Sequence, residues 1–511
     1  VTGACAPAAS VPARLRRRAP DAIALSLASL HFASFYDTEL PIATDIRYFL
    51  YFAWRIAEGD LPHLELFDPK TQLASMVGAV LYSAATALGL DALATIRAGE
   101  LGLCALGAML LFWTGRRLGG GSQVCGFLAL FAYLSFGLLG ALPAIGPLPK
   151  LLMSILATAS ALLAHDRRWL AAGLCAGLAI LDWQIGVFAA AGLALAAATG
   201  PARARALPRL ALGGVAAAVP FAVWFAARGG LGEAWRQLVL SSLSRAAASQ
   251  AADAGLADRL WRIGRAVART CAEQEWLVAI GLLGLATLPV WLHRSRGTDR
   301  MRLLIPLAAH HVGIAAFSLL DFQWYGDLFA LLQSAVFGLA LLWIGAYRGL
   351  LFRLPPAAAA RRRAVAAGAI AVAAIAARPG PLRPVLVIGT PDAPVGVTLA
   401  DQREVAADLA ERLRGRRALF LGSSELLFLL RRTNPLPFIY WNAAAHSRYR
   451  IAPEETSAEA AARALRSVDP DAIFWRGEPP PGVIPEGYTP VWIASPSGRY
   501  RVRMFVRGAG G

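Results

Sequence analysis

Residues 39–70 read ELPIATDIRYFLYFAWRIAEGDLPHLELFDPK, directly after the first apolar run of the chain. The stretch gathers Asp45, Glu58, Asp60, Glu65 and Asp68 among aromatics and arginines, in a protein with only 33 carboxylates in 511 residues. Acids collected beside a hydrophobic segment point to chemistry at a membrane surface. The run Tyr48, Phe49, Tyr51, Phe52 and Trp54 predicts a helix lying on the bilayer, because rings with one wet edge and one apolar face settle at headgroup level.

The composition around this stretch is that of a membrane protein. The chain is 57% hydrophobic and 16% charged, with a mean hydropathy of +0.51, and its apolar runs approach the length that crosses a hydrocarbon core. A net charge of +17 raises the question of nucleic acid, but the arginines fall in short clusters between apolar runs. That is the positive-inside pattern, not a phosphate-tracking surface, so no nucleic-acid partner is expected. The cysteines Cys5, Cys104, Cys125, Cys175 and Cys271 form no CxxC pair, which indicates neither a disulfide framework nor a zinc site. Arg14, Arg16, Arg17 and Arg18 read as a cytoplasmic anchor for an uncleaved first helix.

Orientation by the arginine clusters predicts an α-helical multi-pass protein of about eleven spans: 22–36, 97–114, 126–142, 151–164, 169–181, 185–198, 210–227, 276–292, 303–320, 328–344 and 364–377. Residues 1–20 are then a cytoplasmic segment, 21–377 the transmembrane domain with a large first outer loop at 37–97, and 378–511 an extracytoplasmic α/β domain. The expected setting is the cytoplasmic (inner) membrane. The apolar run 73–90 is kept out of the count because a crossing there would put every later arginine cluster outside; a helix in the membrane plane, or a re-entrant one, fits instead. One outer loop strains the scheme: residues 228–275 carry Arg236, Arg245, Arg259, Arg262, Arg265 and Arg269. In the tail, VLVIG, ALFLG, AIFWRG, YTPVWIA and RYRVRMFVR read as strands, and 400–413 and 453–465 as amphipathic helices.

Several short motifs have plain explanations. Gly119-Gly120-Gly121-Ser122 lacks the lysine and preceding strand of a phosphate loop and reads as a turn. His310 and His311 are adjacent, so on a helix they cannot share a metal as i, i+4 histidines do; polar contacts between helices are expected of them. Gly422-Ser423-Ser424-Glu425 reads as a helix start after a strand.

Lysine usage is more telling. Of 50 basic residues only Lys70 and Lys150 are lysines, and both fall in expected outer loops. A compact ammonium suits a phosphate oxygen, which makes both candidates for a lipid phosphate, with snorkelling as the ordinary alternative. Asp182, Gln184, Asp321, Gln323 and Asp327 recur at outer helix ends, where polar groups collected at one face mark a site. Asp45 itself reads either as a reacting acid or as a solvated partner of Arg47.

The order of these features resembles the GT-C superfamily of membrane glycosyltransferases, in particular the branch of protein O-mannosyltransferases and lipid A aminoarabinose transferases. The likeness runs through Asp45, through RIAEGDLPHLELFDPKTQL beside the family's "GdxPYxDfxxPPL", through Arg97 opening the next span, through GRRLGG, and through RRWLAAGLCAGLAIL beside "RxxLaGlxxGLA". It implies transfer of a sugar from a polyprenyl-phosphate donor to a hydroxyl of a lipid, glycan or protein acceptor, with inversion, at the outer face of a membrane. Carried over, the catalytic acids fall on Asp45 and Asp68, and the lipid-phosphate contacts on Lys70, Arg97 and Lys150. Asp60, Asp182, Gln184, Asp321 and Gln323 are weaker candidates for sugar or acceptor. No metal or cofactor is required. The second outer loop, GALPAIGPLPK, lacks the acid many members carry there: either Lys150 takes over part of its work or a catalytic group is missing. A transporter or lipid flippase, and a non-catalytic relative, are the competing readings; paired halves and mid-helix acids, expected of a transporter, are not found in the sequence.

Overall fold

Backbone N–H and C=O groups at membrane depth have no water to bond, so apolar runs of this kind must satisfy them within helices. The computed structural model describes residues 13–43, 45–67, 72–200, 202–240, 255–271, 275–320, 322, 325–355, 358–376, 396–439, 455–475 and 477–508. Its helices are α1 (Ala13–Ala33), α2 (Ile46–Ala57), α3 (Leu73–Ala87), α4 (Ala92–Leu118), α5 (Gln123–Leu134), α6 (Pro149–His165), α7 (Trp169–Asp182), α8 (Val187–Ala198), α9 (Arg203–Ala227), α10 (Leu256–Thr270), α11 (Glu275–Arg294), α12 (Met301–Leu320), α13 (Tyr325–Phe352), α14 (Ala359–Ala376), α15 (Leu399–Arg412), α16 (Ser424–Leu430) and α17 (Ser457–Val468). A helix lies at each of the eleven segments expected to span. By length and composition, α4, α9, α11, α12 and α13 are long and apolar enough to cross a membrane, so the structure secures a multi-pass bundle and not a fixed number of crossings.

Small residues set how closely the helices approach. A Cβ on Gly173 in α7 would lie 2.1 Å from the carbonyl oxygen of Leu210 in α9, and one on Gly213 would lie 2.1 Å from that of Leu170. Such reciprocal contacts are how membrane helices, denied a hydrophobic drive toward one another, gain packing. At the Gly119-Gly120-Gly121 turn between α4 and α5, φ is +70° at Gly120 and +91° at Gly121; only glycine adopts these without strain. Ser122 then caps α5, accepting from the Cys125 N–H at 3.4 Å.

The two ends of the bundle differ. At one, Arg116 pairs with Asp21 and Arg117 with Asp166, each at 2.7 Å, and Arg348 donates to the Leu118 carbonyl at 3.1 Å. The loops that follow α1 and α5 lie at the other. There the C-terminal module is seated, away from the start of α1. Its four strands, β1 (Ala418–Leu421), β2 (Ala472–Trp475), β3 (Tyr488–Ala494) and β4 (Arg501–Arg507), form a sheet ordered β1-β2-β4-β3, with β1 and β2 parallel and the other pairs antiparallel. These fall on the expected strand segments; the expected strand VLVIG lies outside the described residues. α15 and α17 each open with a capping box, Thr398 with Asp401 and Thr456 with Glu459.

The aromatic run of α2 is not spread on a bilayer. Tyr48, Phe49, Tyr51, Phe52 and Trp54 are all 5% exposed or less, because the module covers them. The Tyr51 hydroxyl accepts from the Asn434 N–H at 3.1 Å, and Asn434 also bonds the Phe420 N–H and C=O on β1. Arg431 stacks over the rings of Trp54 and Tyr82, and Phe67 over Phe438. The rings belong to a buried seam between module and bundle, a setting with the same amphipathic demand as the headgroup zone.

Replacing Gly213 by Leu is expected to force α7 and α9 apart at a cost of at least about 1–3 kcal/mol. The detergent-solubilised variant should melt at a lower temperature than the parent; an unchanged melt would mean the crossing is looser than described.

Candidate functional site

The site is built around the first loop. Asp45 stands immediately before α2, exposed, with its backbone carbonyl accepting from the Tyr48 N–H at 3.3 Å. Arg47 does not pair with it. That guanidinium turns to Glu425 of the module at 3.5 Å, both side chains buried, and Glu425 also accepts from the Tyr500 hydroxyl at 2.8 Å. The reading of Asp45 as an Arg47 partner is therefore set aside.

The first loop is pinned from both flanks. On one side, the Ile42 N–H and C=O both bond the Gln402 side chain, at 2.8 and 2.9 Å. On the other, His63, with φ +68°, pairs its ring with Gln237 at 3.2 Å while Gln237 donates back to the His63 carbonyl at 2.6 Å. Asp60 forms an ion pair with Arg55; burial holds its carboxyl above the ordinary value, with Arg55 pulling the other way. Asp60 is thus occupied in shaping the loop.

Arg97 requires a correction. Its side chain is almost fully buried, and its guanidinium reaches the carbonyls of Ile145 (3.1 Å), Thr38 (3.2 Å), Leu40 (2.5 Å) and Pro41 (3.5 Å). A planar fork with five donors suits this task. Arg97 ties the loops after α1 and α5 together, and its donors are turned to backbone carbonyls where a lipid phosphate was expected.

The second outer loop carries Lys150 into the bundle. Gly146 sits against α2, where a Cβ would lie 2.9 Å from Ile46 Cγ2, and Pro147 packs at Gly78 of α3. The Leu148 N–H donates to the buried Glu100 at 3.3 Å. Lys150, 5% exposed, pairs with Asp327 at the start of α13, and its ammonium lies 4.3 Å from the Trp183 ring centroid. Asp182, next to Trp183, is fully buried, and neither of its oxygens has a hydrogen-bond partner among the described residues. Gln184 follows in a 3-10 turn at the same end.

The structure thus brings Lys150, Asp182, Gln184 and the Asp45 end of α2 to one end of the bundle, beside the start of α3. Asp68, Lys70, Asp321 and Gln323 lie outside the described residues. Two acids at this end were not expected as site residues from the sequence: Glu100, one turn after Arg97, and Asp327, the partner of Lys150. Elsewhere, His311 bonds Ser334 and stacks on Phe337, but His310, expected to be satisfied, has neither ring nitrogen partnered among the described residues. A groove of about 1230 Å³ between α1, α4 and α6 opens at the opposite end, and its charged mouth is already neutralised by the Arg116–Asp21 and Arg117–Asp166 pairs.

The multi-pass helical bundle with a small C-terminal α/β module is a fold shared with solved membrane-protein structures. Two crystal structures of ArnT from Cupriavidus metallidurans share it: the undecaprenyl phosphate-bound form, with 15% identity over 96% of this chain and 99% of that one at a TM-score of 0.59, and the apo form, with 14% identity over 96% and 98% at 0.53. No family model and no curated protein sequence matches the chain.

Replacing Arg97 by Met should lower the thermal stability of the whole protein, since each carbonyl left without a partner costs about 1–3 kcal/mol. A variant that melts like the parent but no longer binds polyprenyl phosphate would return Arg97 to the phosphate site.

Proposed function

We propose that the chain is a glycosyltransferase that moves a sugar from a polyprenyl-phosphate carrier to an acceptor hydroxyl, with the reaction at the end of the bundle that carries the first loop. The observation that supports the reading is that an exposed acid before α2, a buried lysine on α6 and acids on α7 and α13 lie toward the same end of the bundle, in a fold whose relative ArnT has been crystallised with undecaprenyl phosphate.

In this reaction Asp45 accepts the proton of the acceptor hydroxyl while the oxygen attacks the anomeric carbon. The bond from that carbon to the phosphate oxygen breaks in the same displacement, the lipid phosphate leaves with the electron pair, and the anomeric configuration inverts. The leaving group gains negative charge as it departs, so cations fixed near it lower the barrier. Lys70, three residues before the start of α3, is assigned to that phosphate. Lys150 already has a counter-charge in Asp327, and its role is to hold the turn at 147–150 in place against Trp183. Asp68 assists as a second acid, and Asp182 and Gln184 line the sugar side. The extracytoplasmic face of the inner membrane is the expected location, since the tail module and first loop share one end and the arginine clusters of α4, α6 and α12 the other.

Asp45→Asn should lower transfer about 100- to 10,000-fold, the contribution of a general base, with expression and donor binding retained. Purified protein supplied with a radiolabelled polyprenyl-phosphate sugar provides the measurement. Unchanged turnover would reject Asp45 as the base, and movement of the donor across a vesicle wall without transfer would replace the enzyme by a flippase.

A further inference from the structure

Four of the six arginines that strain the orientation scheme, Arg259, Arg262, Arg265 and Arg269, lie on α10. This helix has three faces. Ile263, Ala266 and Val267 are buried, and the helix packs on α12 and α13; Arg259 on this side donates to the carbonyl of Leu319 at 3.3 Å. Leu256, Leu260 and Trp261 are 63, 51 and 69% exposed, and with Gly264 and Ala268 they make a second, apolar face that no described residue covers. Arg262, Arg265 and Arg269 follow one another at i, i+3 and i+7 on a third face, also exposed, beside the single acid Asp258.

The level of the helix is set by Arg259. Leu319 is one residue from the end of α12, a segment long and apolar enough to cross, so α10 sits where that helix leaves the hydrocarbon. On the helices that α10 packs against, Leu320 of α12 and Trp276 and Leu283 of α11 are also exposed, at 62, 55 and 70%. An apolar face joined to a cationic stripe, at the last turn of a span, matches acyl chains on one side and lipid phosphates on the other.

We infer that α10 lies along the membrane surface with Leu260 and Trp261 among the acyl chains, and that Arg262, Arg265 and Arg269 form a binding face for anionic phospholipid headgroups. This requires only the membrane bundle and is independent of the proposed reaction. It also explains why a cluster of arginines is found in an outer loop: they follow the lipid phosphate and not the orientation rule.

The full chain is reconstituted in membranes of phosphatidylcholine mixed with phosphatidylglycerol, released, and its retained lipids counted by native mass spectrometry. The parent should retain phosphatidylglycerol in preference, and the triple variant R262Q/R265Q/R269Q, altered only on the exposed face, should lose that preference by a factor on the order of 10 to 100. Equal retention by both proteins would overturn the headgroup assignment. Separately, a fluorophore attached through Ala268→Cys should be quenched by a nitroxide carried on the acyl chain. Quenching only by a water-soluble agent would overturn the placement, and would instead mean that solvent or a protein partner faces this side.

Discussion

A buried guanidinium holding four backbone carbonyls is the constraint on which the loop end of this protein depends. The segments 38–41 and 145 have no regular structure to consume their carbonyl groups. Arg97 resolves this with one side chain, because its planar fork can address acceptors from two loops at once. With these loops fixed relative to each other, Gly146 can approach Ile46, and Pro147 can approach α3. That close approach is what places Lys150 and the start of α2 at the same end of the bundle.

A second level of order comes from the module. It contributes Gln402, Glu425 and Asn434 to the first loop and α2, each meeting a group that would otherwise be buried without a partner. Arg47 and Glu425 illustrate the energetics: removing either would strand a charge in a site from which water is excluded, which costs far more than the pair contributes by forming. The module is therefore part of the architecture of the site and not an appendage beside it.

How far the sequence could be read follows from the range of the interactions. The apolar helices were legible because apolar length is a local property, and the strands of the tail because short apolar runs rich in β-branched and aromatic residues are local too. Asp45 could be marked from its place after α1. The aromatic run of α2 was misjudged because amphipathic rings serve a lipid headgroup and a buried protein seam equally well, and the partner that decides between them, Asn434, is nearly four hundred residues away. Arg97 was rightly singled out but given the wrong partner, since a guanidinium that would grip phosphate looks the same in sequence as one that collects carbonyls. Glu100 was missed because its meaning depends on the Leu148 N–H, which only the folded second loop brings near.

The paired hydrogen bonds between Ile42 and Gln402 have a consequence for biogenesis. A chain emerging from the ribosome delivers the first loop early, and Gln402, Glu425 and Asn434 only after the last hydrophobic segment has been threaded. Until then the loop must wait with its polar groups turned to water or to a chaperone. Assembly of the bundle and maturation of its loop end are thus separate events in time, and the second waits for residues made after the apolar helices.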